Sequence, residues 1–188
     1  MQDKALGTTT VTVHKEGQDE YGPHAGPALG SKAFYRTHWT IRKYADDEAL
    51  ARDEPYEVSE IHGNLLLNEG ITALANLLTG AAETAYNNAN TYIGVGDSAT
   101  AASASQTGLQ ASSNKTYKGM QATYPLISSQ TITWRAQFTT SEANYAWNEF
   151  TVANGNSDSG DNLNRVVSAQ GTKSSGQTWT VDVAITFS

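Results

Sequence analysis

From Gln177 to Ser188 apolar and polar residues alternate without a break, Trp179, Val181, Val183, Ile185 and Phe187 against Thr178, Thr180, Asp182, Ala184 and Thr186. In an extended chain successive side chains point to opposite faces, so this run predicts a β-strand with one face buried. Thr131 to Phe138 repeats the pattern, with Ile132, Trp134, Ala136 and Phe138 opposite Thr131, Thr133, Arg135 and Gln137. Phe34 to Tyr44 does so again, placing Tyr35, Thr37, Trp39 and Ile41 on one face and Arg36, His38, Thr40 and Arg42 on the other. Further strands are expected at Thr8 to His14, Tyr56 to His62, Thr91 to Val95, Lys115 to Tyr124, Asn144 to Ala153 and Leu163 to Gln170.

One segment changes period. Over Asn68 to Thr79, Ile71, Leu74, Ala75 and Leu78 recur at helical spacing, Asn68 can cap, Glu69 suits the positive N-terminal end and Gly80 can terminate the helix. Asp46 to Arg52 predicts a short acidic helical turn ended by Pro55. Many strands separated by Gly-, Asn- and Ser-rich loops, with one amphipathic helix, predict a mainly β fold, an antiparallel sandwich or barrel with one end plugged by the helix. Ala99 to Ser113, rich in Ala, Ser, Thr and Gln, is expected to be a long surface loop and a contact region.

Charge divides the chain. Residues 1 to 63 hold 7 basic and 11 acidic side chains, whereas the twice longer remainder holds 5 and 8. Gly17, Gly22, Pro23, Gly26, Pro27 and Gly30 punctuate the first part and leave no room for an independent core. The expected organisation is therefore an extended N-terminal arm with short strands over 1–62, held by a partner, and a β-sandwich domain opened by a helix over 63–188. The strand at Phe34 to Tyr44 needs a sheet to join. Tyr35, Trp39 and Ile41, which need an apolar surface, and Arg36 and Arg42, which suit solvent or an acidic partner, are the candidate partner-binding residues.

The net charge of −7 and the scattered basic residues argue against nucleic-acid binding, which needs clustered Lys and Arg. No apolar run is long enough to span a membrane, and the N-terminal residues show no export signal, so a soluble protein is expected. With no cysteine there is neither a disulfide nor a thiolate metal site or nucleophile.

Candidate chemistry is thin. Asn154, Asn156 and Asp158 alternate as calcium ligands do, but Gly160 falls at the seventh place and Arg165 at the twelfth, so a solvated hairpin loop is expected. Gly94 and Gly96 lack the Lys-Ser/Thr pair and helix of a phosphate loop and suit close packing instead. His14, His24, His38 and His62 lack zinc-site spacing, so no metal and no cofactor is expected. Glu142, Glu149, Asp158 and Asp161 are the carboxylates from which a glycosidase pair would come, yet sequence shows no facing pair. No Gly-x-Ser-x-Gly elbow occurs. The expectation is no enzyme. The aromatics, Trp134, Trp147 and Trp179 with Tyr92, Tyr117, Tyr124 and Tyr145, read as core more than as sugar-stacking platforms, with Tyr86 and Tyr117 open.

Four segments, Gly63 to Ile71 (GNLLLNEGI), Asn87 to Ser98 (NNANTYIGVGDS), Ser141 to Phe150 (SEANYAWNEF) and Asn162 to Arg165 (NLNR), together resemble a family of tailed-bacteriophage virion proteins, chiefly of phages of actinobacteria. The resemblance covers residues 63 to 188 and implies a structural protein of the particle with no catalytic residues. Members of this type look alike on head and tail. A polar arm joined to a compact β domain, a design that spreads contacts over several subunits, leads to the expectation of a capsid decoration or cement protein on the outer capsid surface, made in the host cytoplasm. The expected partners are the major capsid protein and, because a β domain with few charges leaves its strand edges weakly guarded, further copies of the chain as a trimer or dimer. The alternative the resemblance implies is a minor tail or tail-fibre protein whose oligomeric β domain contacts host-surface glycans.

Overall fold

The three most strictly alternating strands lie side by side in the structure, a computed structural model that describes residues 35 to 188. β1 (Tyr35–Tyr44) is followed by α1 (Asp47–Ala51), β2 (Glu57–His62), β3 (Leu65–Leu66), α2 (Asn68–Thr79), β4 (Tyr92–Gly96), β5 (Lys115–Gly119) and β6 (Leu126–Ser128). β7 (Thr131–Phe138), β8 (Glu149–Ala153), β9 (Asn164–Val167) and β10 (Thr178–Phe187) complete the chain. They form two antiparallel five-stranded sheets, ordered β2-β1-β10-β7-β6 and β3-β9-β8-β4-β5. The mainly β, antiparallel sandwich expected from the sequence is the observed fold.

Register explains the core. β10 is flanked by β1 and β7, so Val183 lies between Trp39 and Trp134, and Val181 between Ile41 and Ala136. All six are buried, because strands paired in this register turn their apolar sets to one face. The second sheet supplies Ile93, Val95, Phe150 and Val152 from the opposite side. Trp147, from the loop before β8, stands edge-on to Phe138 and Trp179 with ring centroids 4.8 Å away in each case. Edge-to-face packing sets the positive ring edge against a negative face, so these rings fix the alignment of the two sheets as well as filling space.

Two expectations about organisation need correction. A division at residue 62 falls inside the sandwich. β1 pairs along its whole length with β10, and Trp39 and Ile41 are wholly buried in the chain's own core rather than offered to a partner. The strand resembled an appendage because its outward residues, Arg36, His38, Thr40 and Arg42, are polar. The expected strand at Thr8 to His14 and the punctuated arm up to residue 34 lie outside the described residues.

Helix α2 occupies the expected residues and ends at Gly80, whose φ of 72° is the left-handed conformation that glycine adopts without a Cβ clash. Its buried face differs from the expected one. Gly70 and Ala73 are buried, Leu74 is half-buried, and Ile71 and Leu78 are exposed. A Cβ at Gly70 would lie 2.5 Å from the Leu163 Cα, so the helix sits on β9's approach through its smallest residue, and that contact sets its rotation. Asn68 does not cap. Leu67 holds the cap position with no side-chain bond, the Asn68 N–H donates to the Ala104 carbonyl, and Glu69 accepts from the Asn162 N–H at 2.8 Å. In α1, by contrast, Asp46 caps the Ala49 N–H at 2.7 Å.

Candidate functional site

The polar residues of the second sheet converge on one buried ion pair. Glu149, on β8, and Arg165, on β9, are both fully buried, with Arg165 Nη2 2.6 Å and Nε 2.8 Å from Glu149 Oε2. The carboxylate also accepts the backbone N–H groups of Gln110 (2.9 Å) and Ala111 (2.7 Å). The guanidinium donates onward to the Gln106 side-chain oxygen (3.0 Å) and the Thr100 carbonyl (2.9 Å). Together the pair clamps residues 99 to 113 to the domain at four points, and Asp158 adds a fifth by accepting the Leu109 N–H at 3.2 Å. A buried charge needs partners for all its lone pairs and protons, and this segment provides them. The expected surface contact loop is thus largely a structural strap, with Leu109 and Ala111 buried.

The remaining candidate carboxylates are similarly engaged. Asp158 takes Lys115 and the Tyr117 hydroxyl (2.6 Å), which closes the loop that resembled a calcium site. Gly155 and Gly160 meet backbone to backbone at its neck, and the Asn154 side chain ties it by accepting the Asp161 N–H at 2.7 Å. Burial pushes the Glu142 carboxyl up, but hydrogen bonds from Lys118 (2.6 Å) and the Thr139 N–H (2.9 Å) outweigh it and hold the group below its usual range. Burial raises the Asp161 carboxyl, and Glu83 beside it raises it further, while Asn76 donates to Glu83 and holds that group low. Glu83 and Asp161 thus act on each other's charge. Gly94 and Gly96 serve close packing: a Cβ at Gly94 would meet Thr151 Cγ2 at 2.6 Å, and one at Gly96 would meet Glu149 Oε1 at 2.5 Å.

Two surfaces remain. The first is an apolar trough of about 320 Å³ between α2 and the end of the first sheet, lined by Leu74, Leu77, Tyr86, Ile127, Trp134 and Phe187, among others. Tyr35, the first described residue of β1, forms part of its wall. Tyr86, left open by the sequence, belongs here, with its hydroxyl donating to the Asp161 carbonyl at 2.9 Å and burial raising its pKa. Beside the trough runs β6, an edge strand with Leu126 and Ile127 exposed and no charge. The other long edges are guarded differently: β5 carries Lys115 and Lys118, and β2 carries Glu57 and Glu60. Charged edge residues oppose strand addition, so of these three edges β6 is the one without that protection.

The second surface is the outward face of β1 and β2. There Arg42 and Arg135 flank Asp182, so Arg42 has an acidic partner within its own sheet. Arg36 is exposed nearby. His38 and His62 are register partners, their rings stacked at 4.7 Å with 12° between planes. Glu60 Oε2 lies 3.7 Å from His38 Nε2 and 4.0 Å from His62 Nε2. Sequence spacing separated these histidines, and strand register brings them together. The outward alternation of both strands would have revealed the pair had the register been known.

Of the candidate partner-binding residues, the structure places only Tyr35 on the trough. Trp39 and Ile41 are core, and Arg36 and Arg42 face outward from the opposite side of the same strand. No described helix is long and apolar enough to cross a membrane. Comparison with protein-family models, curated proteins and solved structures finds no match to the chain.

Proposed function

We propose that the chain is a structural protein of a tailed-bacteriophage particle, and within that class a decoration or cement protein on the outer capsid surface. The observation that carries this reading is the meeting of the four segments that resemble the virion family. Leu65 and Leu66 pair with Arg165 and Asn164, Gly96 pairs with Glu149, the Asn148 side chain donates to the Asp97 carbonyl at 2.8 Å, and Glu149 holds Arg165. The resemblance thus rests on residues whose work is to hold the sandwich and strap its longest loop. Such residues fit a family defined by a shared scaffold rather than by a reaction.

In this reading the sandwich is a rigid body displayed on the particle. Residues 1 to 34, polar and punctuated by glycine and proline, supply the attachment to the major capsid protein, gaining affinity by spreading contacts over neighbouring subunits. The trough and the uncharged β6 edge are the apolar part of the contact with the capsid or with further copies of the chain. The test is rebinding to heads that lack the protein. A chain without residues 1 to 31 is expected to keep the urea midpoint of the full protein and to lose attachment. Undiminished attachment would contradict the anchoring role.

A further inference from the structure

We propose that His38, His62 and Glu60 form a binding site for a divalent transition-metal ion, zinc being the ion their chemistry fits best. The site is built by register. His38 on β1 stands opposite His62 on β2, and Glu60, two residues from His62 on the same strand, points to the same face. One ligand atom from each residue lies within 4.8 Å of the others. Tetrahedral zinc with bonds of about 2.0–2.1 Å spaces its ligands about 3.4 Å apart, close to the 3.7 and 4.0 Å that separate Glu60 from the two histidines. Binding requires the stacked imidazoles to tilt out of their nearly parallel arrangement so that both lone pairs converge on the ion. Two imidazoles and one carboxylate form the donor set that zinc takes with water in the fourth position.

A second observation points the same way. His38 Nε2 is buried and has no hydrogen-bond partner, a rare condition for a polar atom that a metal bond would relieve. The other side of His38 faces its β10 register partner Ala184, whose small side chain leaves a concavity over the two histidines. The His62 and Glu60 side chains are largely exposed, so an ion reaches the site from solvent. Arg36 lines the same concavity and is the charge that opposes a cation there. Binding would staple edge strand β2 to β1, and it does not rest on the virion reading.

The experiment is zinc titration of the full-length chain by calorimetry, with cobalt as a spectroscopic substitute whose visible bands report tetrahedral geometry. One ion per chain is expected, together with a zinc-dependent rise in melting temperature. His38→Ala, His62→Ala and Glu60→Gln should each weaken binding by more than the roughly 10–100-fold loss seen when a mere outer-shell partner is removed. These outward-facing changes should leave the zinc-free urea midpoint near that of the parent. The double variant His14→Ala/His24→Ala removes the other two histidines and should bind as the parent does. Absence of binding at submillimolar zinc, or binding that survives both His38→Ala and His62→Ala, would overturn the assignment.

Discussion

Replacing Glu149 with Gln changes one atom and should undo the strap over the second sheet. The carboxylate accepts four hydrogen bonds, two from Arg165 and one each from the Gln110 and Ala111 N–H groups, and is wholly buried. An amide offers one acceptor oxygen and turns an NH2 group toward donors whichever way it is placed. Arg165 would keep its charge with no counter-charge, in a site where it is also fully buried. Removing one partner of a buried pair destabilises by about 3–5 kcal/mol, and orphaned N–H groups act within that same loss rather than adding to it. This is a large share of the about 5–15 kcal/mol that holds a typical domain together. Urea unfolding followed by fluorescence of the four buried tryptophans should show the midpoint fall at unchanged slope. Amide exchange at Gln110 and Ala111 should speed up together. A loss below about 1 kcal/mol, or unchanged protection of those two amides, would refute the structural account of the pair.

Gly70→Ala should destabilise the fold by about 1–3 kcal/mol in spite of alanine's better helix propensity, because its Cβ would fall 2.5 Å from the Leu163 Cα; thermal melting checks the sign. Lys173, fully buried and donating to the Thr139 carbonyl and Asn144, is lowered to about 8 by burial from an ordinary value of 10.5. Between those values the unfolded state holds the extra proton, so stability should rise with pH through that window; the penalty is complete below about 8. Urea midpoints at pH 7.5 and 9.5 should show this rise, and Lys173→Met should abolish it. Ile127→Asp, at a side chain 75% exposed, should leave the melting temperature unchanged within about 0.5 kcal/mol of stability while weakening attachment to heads in a sedimentation assay.

Alternation made most of the sandwich legible, because strands with one buried face carry their orientation in every second residue. β1, β7 and β10 lie within one or two residues of their sequence-based bounds, and the buried faces of Trp39, Trp134 and Val181 are the expected ones. Two kinds of information were not local. The rotation of α2 depends on a backbone meeting at Gly70 and Leu163, which no helical periodicity records. The pairing of Glu149 with Arg165, and of His38 with His62, depends on which strands become neighbours and in what register. Short apolar β6 lacks enough length for a period, and the Ala99 to Ser113 segment owes its order to a charge pair distant in sequence.

The most direct test of the virion reading is to separate heads from tails of purified particles made in the host that produces this chain, and to quantify its peptides in each fraction by mass spectrometry. The decoration account predicts recovery with the heads, in a fixed ratio to the major capsid protein. Recovery with the tails alone would move the chain to the tail, and absence from both fractions would contradict a structural role in the particle altogether.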